Sequence, residues 1–128
     1  MSVSDKMDFL YDNTEKVFSF ISEYLNTEAE FLFENDDTAV FRKGYRKKWF
    51  AVVMCISKRR LGIECDEMTE VLNVKLNPND IALLVDHKGY FPAYHMNKKH
   101  WCSIILDGSV DIDEVCYRIE QSFDLVKG

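Results

Sequence analysis

Two histidines, a cysteine, a tryptophan and two lysines crowd the segment YHMNKKHWCSIILDG, residues 94–108. Three chemistries can be drawn from those residue types. Nucleophilic catalysis needs a serine or cysteine beside a base and an oxyanion donor. On a strand, Ser103 would face away from His100 and Cys102, because successive side chains alternate. No G-x-S-x-G elbow and no phosphate-cradling glycine loop occurs, so no catalytic residue is assigned. For a metal site, His100 and Cys102 would share a strand face and His95 could fold back across the turn. Further ligands would then have to come from Cys55, Cys65 or a distant carboxylate, and nothing fixes them there. No metal and no cofactor is expected. The third chemistry is a structural join. Asn97 takes a left-handed turn position, Trp101 packs on one face of a sheet, and Cys102, Ile104 and Leu106 fill the other. We adopt this reading, with His95 capping the turn and His100 bonding a neighbour. Lys98 and Lys99 are left in solvent, free to bind.

A second concentration is electrostatic. The chain has a formal net charge of −6, which argues against a generic nucleic-acid binder. Yet residues 41–60 contain Arg42, Lys43, Arg46, Lys47, Lys48, Lys58, Arg59 and Arg60 and not one acid. The other 108 residues hold eight basic and all 22 acidic groups, a formal −14. Basic residues commonly guard strand edges and turns against aggregation, but eight without an acid exceed that need. Tyr45 and Trp49 are interleaved with them and suit stacking on bases or sugars.

These groups must be positioned by a single domain of 128 residues, 47% hydrophobic, which suffices for a core. No Pro/Gly/Ser linker, internal repeat, signal peptide or membrane-length apolar run is present, so a cytosolic monomer is expected. Four cysteines without a C-x-x-C pair read as free thiols, with Cys55 and Cys116 as small buried hydrophobes. Residues 4–25 read as an amphipathic helix on Met7, Leu10, Thr14, Val17, Ile21 and Tyr24, capped by Ser4, with Asp5 and Asp8 at its positive end. Short strands follow in AEFLFENDD, in Thr38–Lys43 and Lys48–Ser57 around a Gly44 break, in RLGIECDE and in TEVLNVKLN. Asn77 and Pro78 open a short helix that Gly89 closes with a left-handed residue. YFPAYH is an edge segment, and His100–Leu106 a strand. Asp111 and Glu114 form a capping box for a last helix striped by Ile112, Val115, Cys116, Ile119, Phe123 and Val126. The expected fold is α+β, a two-layer sandwich with helices on one face of an antiparallel sheet, in the order α-β(3)-α-β(2)-α.

With these elements in place, Pro92, His95, Asn97, Lys98, His100, Trp101, Leu106, Asp107, Gly108 and the late Ser122 trace P-x-x-H-x-N-K-x-H-W, L-D-G and a final-helix serine. YRKKWFAVV adds a K-x-F-A-like strand, with Trp49 taking an extra place before Phe50. The pattern resembles the MmcQ/YjbR family of small bacterial proteins, over about the last two-thirds of the chain. The resemblance implies a fold like that of type III secretion chaperones, with a frataxin-like outline. It also implies DNA binding through a double-wing motif. The segment before Gly44, longer and more acidic (FENDD), departs from that pattern. The expected function is non-catalytic binding of duplex DNA or another polyanion, without sequence preference. The binding groups would be the basic turns around residues 42–48 and 58–60, joined by Lys98 and Lys99 if the fold brings them alongside. The alternative is a chaperone-like module for an acidic protein segment, to which a polarised surface is equally suited.

Overall fold

The computed structural model describes residues 8–34 and 36–128. In chain order it runs α1 (Asp12–Tyr24), β1 (Ala39–Lys43), β2 (Lys48–Ser57), a 3-10 turn (Lys58–Leu61), β3 (Met68–Lys75), α2 (Pro78–Leu84), β4 (Tyr90–Pro92), β5 (Trp101–Ile105) and α3 (Ile112–Leu125). The five strands make one antiparallel sheet in the order β1-β2-β3-β5-β4. The architecture is the expected α+β arrangement in the expected order.

Alternation divides the strands between two faces. Phe41, Ala51, Val53, Leu72, Val74, Cys102 and Ile104 point to the helices and pack on Val17, Phe18 and Ile21 of α1 and on Val115 and Ile119 of α3. On the opposite face a smaller cluster of Val40, Val52, Met54, Val71, Phe91 and Ile105 packs, among the described residues, with Leu61 and with half-buried Trp49, Ile56, Ile63 and Tyr94. We call these the helical face and the open face.

Two long-range hydrogen-bond sets hold the helices to the sheet. Glu70 of β3 is only 7% exposed, and its Oε1 accepts from Leu10 N (2.9 Å), Tyr11 N (3.3 Å) and Thr14 Oγ1 (2.7 Å). A carboxylate from the sheet thus holds the Leu10 and Tyr11 N–H groups just ahead of α1, together with the Thr14 hydroxyl, and sets a negative charge at the helix's positive end. The helix starts at Asp12, so residues 8–11 are not helical as expected, and the cap at Ser4, with Asp5 and Met7, lies outside the described residues. The second set centres on a bulge. Phe41 pairs with Ala51 and Arg42 with Trp49, which leaves Phe50 unpaired. Its ring turns inward, edge-on to Phe123 at 5.0 Å. Ser122 Oγ donates to the Phe50 carbonyl (2.5 Å) and accepts from Lys75 N (2.8 Å), so the end of α3 closes the notch between β2 and β3.

Several local expectations are corrected. AEFLFENDD contributes one bridge, Glu30 with Val40, and no strand. RLGIECDE forms no strand: Arg60 and Leu61 complete the 3-10 turn, which Ser57 Oγ caps and left-handed Gly62 ends, and the residues after it are irregular up to β3. Asn77 and Pro78 open α2 as expected, but Gly89 does not supply its left-handed stop; His87 has the positive φ of 58°. At Gly89 a Cβ would lie 2.5 Å from Val110 Cγ2, so close packing is what selects glycine there. Asp111 caps α3 through Asp113 N, whereas Glu114 is engaged by the Tyr90 hydroxyl, so the capping box is half formed. Cys55 is exposed and Cys116 half-buried, against the buried places expected for both.

Candidate nucleic-acid interface

The eight clustered cations part company in the fold. The hairpin turn after β1 and the turn after β2 lie at opposite ends of ten-residue β2, roughly 30 Å apart at 3.3 Å per residue. The two basic turns therefore do not form paired wings at one end. Their chemical states differ as well. Lys58 Nζ lies 2.7 Å from Glu67 Oε1 and Arg59 Nε 2.6 Å from Asp66 Oδ1. The bonded acids raise both basic groups above their ordinary range, and Lys58 holds the Glu67 carboxyl below its own. Arg42 is engaged by both oxygens of Glu30, a pairing that holds the Glu30 carboxyl down. Lys43 Nζ donates to the Phe123 carbonyl at 2.6 Å and sits 4.1 Å above that ring. Four of the eight are thus committed within the molecule.

Arg46, Lys47 and Lys48 remain exposed at the hairpin turn, which needs left-handed Gly44 (φ 74°) and Lys47 (φ 54°). Lys47 is close enough to Glu30 to help hold that carboxyl down. Tyr45, at the same tip, is 97% exposed. Arg60 is exposed too, but it faces a different neighbour. It lines a cavity of about 280 Å³ on the open face with His87 and Lys98, over a floor that includes Leu61, Phe91 and Tyr94. Lys98 therefore does come alongside a predicted cation: Arg60. Lys99 is exposed in the same turn.

That turn, residues 93–100, is folded back over the sheet by a buried polar relay. Asn73 Nδ2 donates to Tyr94 O (2.9 Å), Tyr94 N donates to Ser103 Oγ (3.0 Å), and Ser103 Oγ donates to Asn73 Oδ1 (2.5 Å). The Ser103 hydroxyl is accordingly engaged in the relay, donating once and accepting once. The positive φ falls on His95 (58°), not Asn97, and the His95 ring lies 4.0 Å from that of Tyr94. Asn97 works through its carbonyl, which accepts from His100 N and Trp101 N, and through Oδ1, which accepts from Lys99 N. His100 is exposed in the turn ahead of β5, whereas Cys102 is wholly buried on the helical face. Among the described residues no three His, Cys, Asp or Glu side chains converge as a metal site would require.

What sequence reasoning missed is the distribution of charge by layer. The register places Arg42, Trp49, Asn73, Lys75, Trp101 and Ser103 on the open face, and no acidic strand residue among those described points that way. Lys75 is paired in register with Trp101. The helical layer, in contrast, carries Asp12, Glu15 and Glu23 on α1 and Asp113, Glu114, Glu120 and Asp124 on α3, against Lys16 and Arg118. The clean alternation of TEVLNVKLN, with Asn73 and Lys75 set against Leu72 and Val74, was the available signal.

Comparison with known proteins places this arrangement in a family. The YjbR family profile matches residues 22–125. The uncharacterised protein YyaQ of Bacillus subtilis is 32% identical over 114 residues, covering 88% of this chain and 97% of its own. YjbR of Escherichia coli is 31% identical over 58 residues, covering 44% of this chain and 49% of its own. Among solved structures, the crystal structure of a Pseudomonas syringae protein superposes with a TM-score of 0.85 at 32% identity, covering 88% of this chain and 97% of the other. A Deinococcus radiodurans protein superposes with a TM-score of 0.68 at 26% identity, covering 88% and 77%. With its motif residues gathered in the turn pinned over the open face, and with these matches along most of its length, the chain belongs to the YjbR family.

Proposed function

We propose that the protein is a non-catalytic nucleic-acid-binding module that meets the sugar-phosphate backbone with its open face and the adjoining hairpin turn. The observation that supports this most is the segregation of charge: acids cover the helical layer, while Arg46, Lys48, Arg60, Lys75, Lys98 and Lys99 stand without a carboxylate partner among the described residues. Backbone contacts by such cations give affinity without sequence preference and make it fall steeply with salt. The acidic helical layer then orients the molecule, repelling the polyanion from the wrong side.

Retention on heparin and gel shift with duplex DNA at two salt concentrations test the reading. Neutralising Arg60 and Lys98 to Gln, or Arg46 and Lys48 to Gln, is expected to weaken binding and to lower the log-salt slope by about one for each phosphate no longer neutralised. Neutralising Lys58 and Arg59, already held by Glu67 and Asp66, is expected to change it little. Equal weakening from all three pairs would overturn the assignment of the surface. A second reading, docking of an acidic protein segment, draws on the same unpartnered cations together with apolar contact from the consecutive half-exposed Phe31, Leu32 and Phe33, the last of which borders the open face. Indifference to heparin and DNA at low salt would move the assignment there.

A further inference from the structure

The open face holds two adjoining cavities that share Tyr94, and their linings are chemically opposite. One, of about 470 Å³, is walled by Phe33, Trp49, Tyr94 and His95, with Asp36 as its acid and Thr38 beside it. The other is the smaller space ringed by Arg60, His87 and Lys98, with no acid in its lining. We infer that the pair forms a nucleotide seat for single-stranded nucleic acid: an unpaired base enters the aromatic cavity while the phosphates beside it lie over Arg60 and Lys98. This rests on the nucleic-acid reading above and names the form of the partner.

Three features select a base for the aromatic cavity. Its rings come from three separate segments: Phe33 before β1, Trp49 at the start of β2, and Tyr94 and His95 in the turn before β5. Phe33 and Trp49 meet edge to face at 6.3 Å and 80°, so their ring planes stand nearly at right angles. Planar bases of any sequence stack on such aromatic groups, which is how single-strand binders gain affinity. The volume lies in the ~300–1,000 Å³ range of small-ligand sites. Second, the cavity wall is held in place, because Asn73 and Ser103 pin the Tyr94 backbone and the Tyr94 and His95 rings lie against each other at 4.0 Å.

Third, Asp36 supplies a hydrogen-bond acceptor where a base edge would arrive. Its Oδ1 accepts from Thr38 N (2.8 Å) and Thr38 Oγ1 (2.6 Å), which fixes the carboxylate and leaves Oδ2 without a partner among the described residues. A carboxylate there repels phosphate and accepts from an exocyclic amino group, as acidic side chains do at cytosine N4. Cytosine therefore fits better than thymine, which offers no amino group and presents two carbonyls. A duplex cannot present a base in this way without unpairing it.

The test uses the full chain with Trp101→Phe, so that Trp49 is the fluorophore, titrated with oligodeoxynucleotides of about 12 nucleotides, within the usual footprint of single-strand modules. Oligo-dC is expected to quench Trp49 and to bind about tenfold more tightly than the matching duplex, and several-fold more tightly than oligo-dT. Phe33→Ala, at a half-exposed position, should weaken oligo-dC about tenfold. Asp36→Asn should bring oligo-dC and oligo-dT together, with elution from heparin at the same salt as the natural chain or higher. A duplex that binds as tightly as oligo-dC, with heparin retention intact, overturns the base seat and leaves the backbone reading standing. Loss of heparin retention along with all oligonucleotide binding removes both.

Discussion

On the helical face, the buried polar groups serve to hold helices to strands. Glu70 anchors the start of α1 and Ser122 ties α3 into the notch beside the Phe50 bulge. On the open face, the buried relay of Asn73 and Ser103 holds only one turn, and the rings and cations around it stay accessible. The same alternating strands build both surfaces, so the difference lies in what is laid over them. One face is covered by helices; the other has a smaller buried cluster under a turn and a 3-10 segment, with rings and cations accessible around it. That accessible rim is what the proposed binding role uses.

Core truncation should break the comparison most visibly. Phe41 is fully buried on the helical face, in contact with Phe18 at 5.4 Å, and Phe41→Ala is expected to cost about 3–5 kcal/mol in urea unfolding. Phe33 borders the open face at 45% exposure, and Phe33→Ala should cost well under about 1 kcal/mol. Comparable destabilisation from the two would mean that the open face is a second core rather than a binding surface.

The serines sharpen the contrast at smaller magnitude. Ser122→Ala leaves Lys75 N and the Phe50 carbonyl without their partner, at a cost of about 1–3 kcal/mol in the same measurement, with no change in heparin elution. Ser103→Ala removes one link of the relay and lets Tyr94 swing. Its expected signature is a destabilisation of similar or smaller size, ~1 kcal/mol, together with weaker retention of oligonucleotide. Stability and binding would thus separate along the two faces.

How much of this was legible before the fold was known depended on sequence distance. Asn77 and Pro78 announced α2 because a cap and its helix are local, and the alternation of β3 displayed both faces. The start of α1 was misread because its acid partner, Glu70, lies about sixty residues away and no local pattern shows it. The Phe50 bulge was hidden for the same reason, since only pairing with β1 creates it. The basic run was overcounted in one place. Asp66 and Glu67 follow Lys58 and Arg59 closely enough to fold back on them, but a tally of signs along the chain treats them as separate regions. Cavity residues Phe33 and Asp36 gave no periodic signal because they sit in an irregular segment before β1.

The smallest expected effect concerns how the acids of α3 are kept to the helical side. The Tyr90 hydroxyl donates to Glu114 Oε2 and accepts from Arg118 Nε at 3.1 Å. Burial, reinforced by the Glu114 carboxylate, pushes the Tyr90 phenol up to about 12 from an ordinary 10.0. Folding therefore favours the protonated phenol, and this contribution is fully present below pH 10. As pH rises from 10 towards 12, the unfolded chain ionises at Tyr90 while the folded chain keeps its proton, and the contribution drains away. Tyr90→Phe has no such proton to lose. At pH 7 it should be less stable than the natural chain by ~1 kcal/mol, the worth of an ordinary buried hydrogen bond. The difference should close as pH climbs past 10 and be reversed by pH 12, because the rise from 10.0 to about 12 outweighs it. Chemical denaturation of both proteins across that interval checks the crossing; two parallel stability curves would show that Tyr90 does not couple α3 to the sheet through its proton.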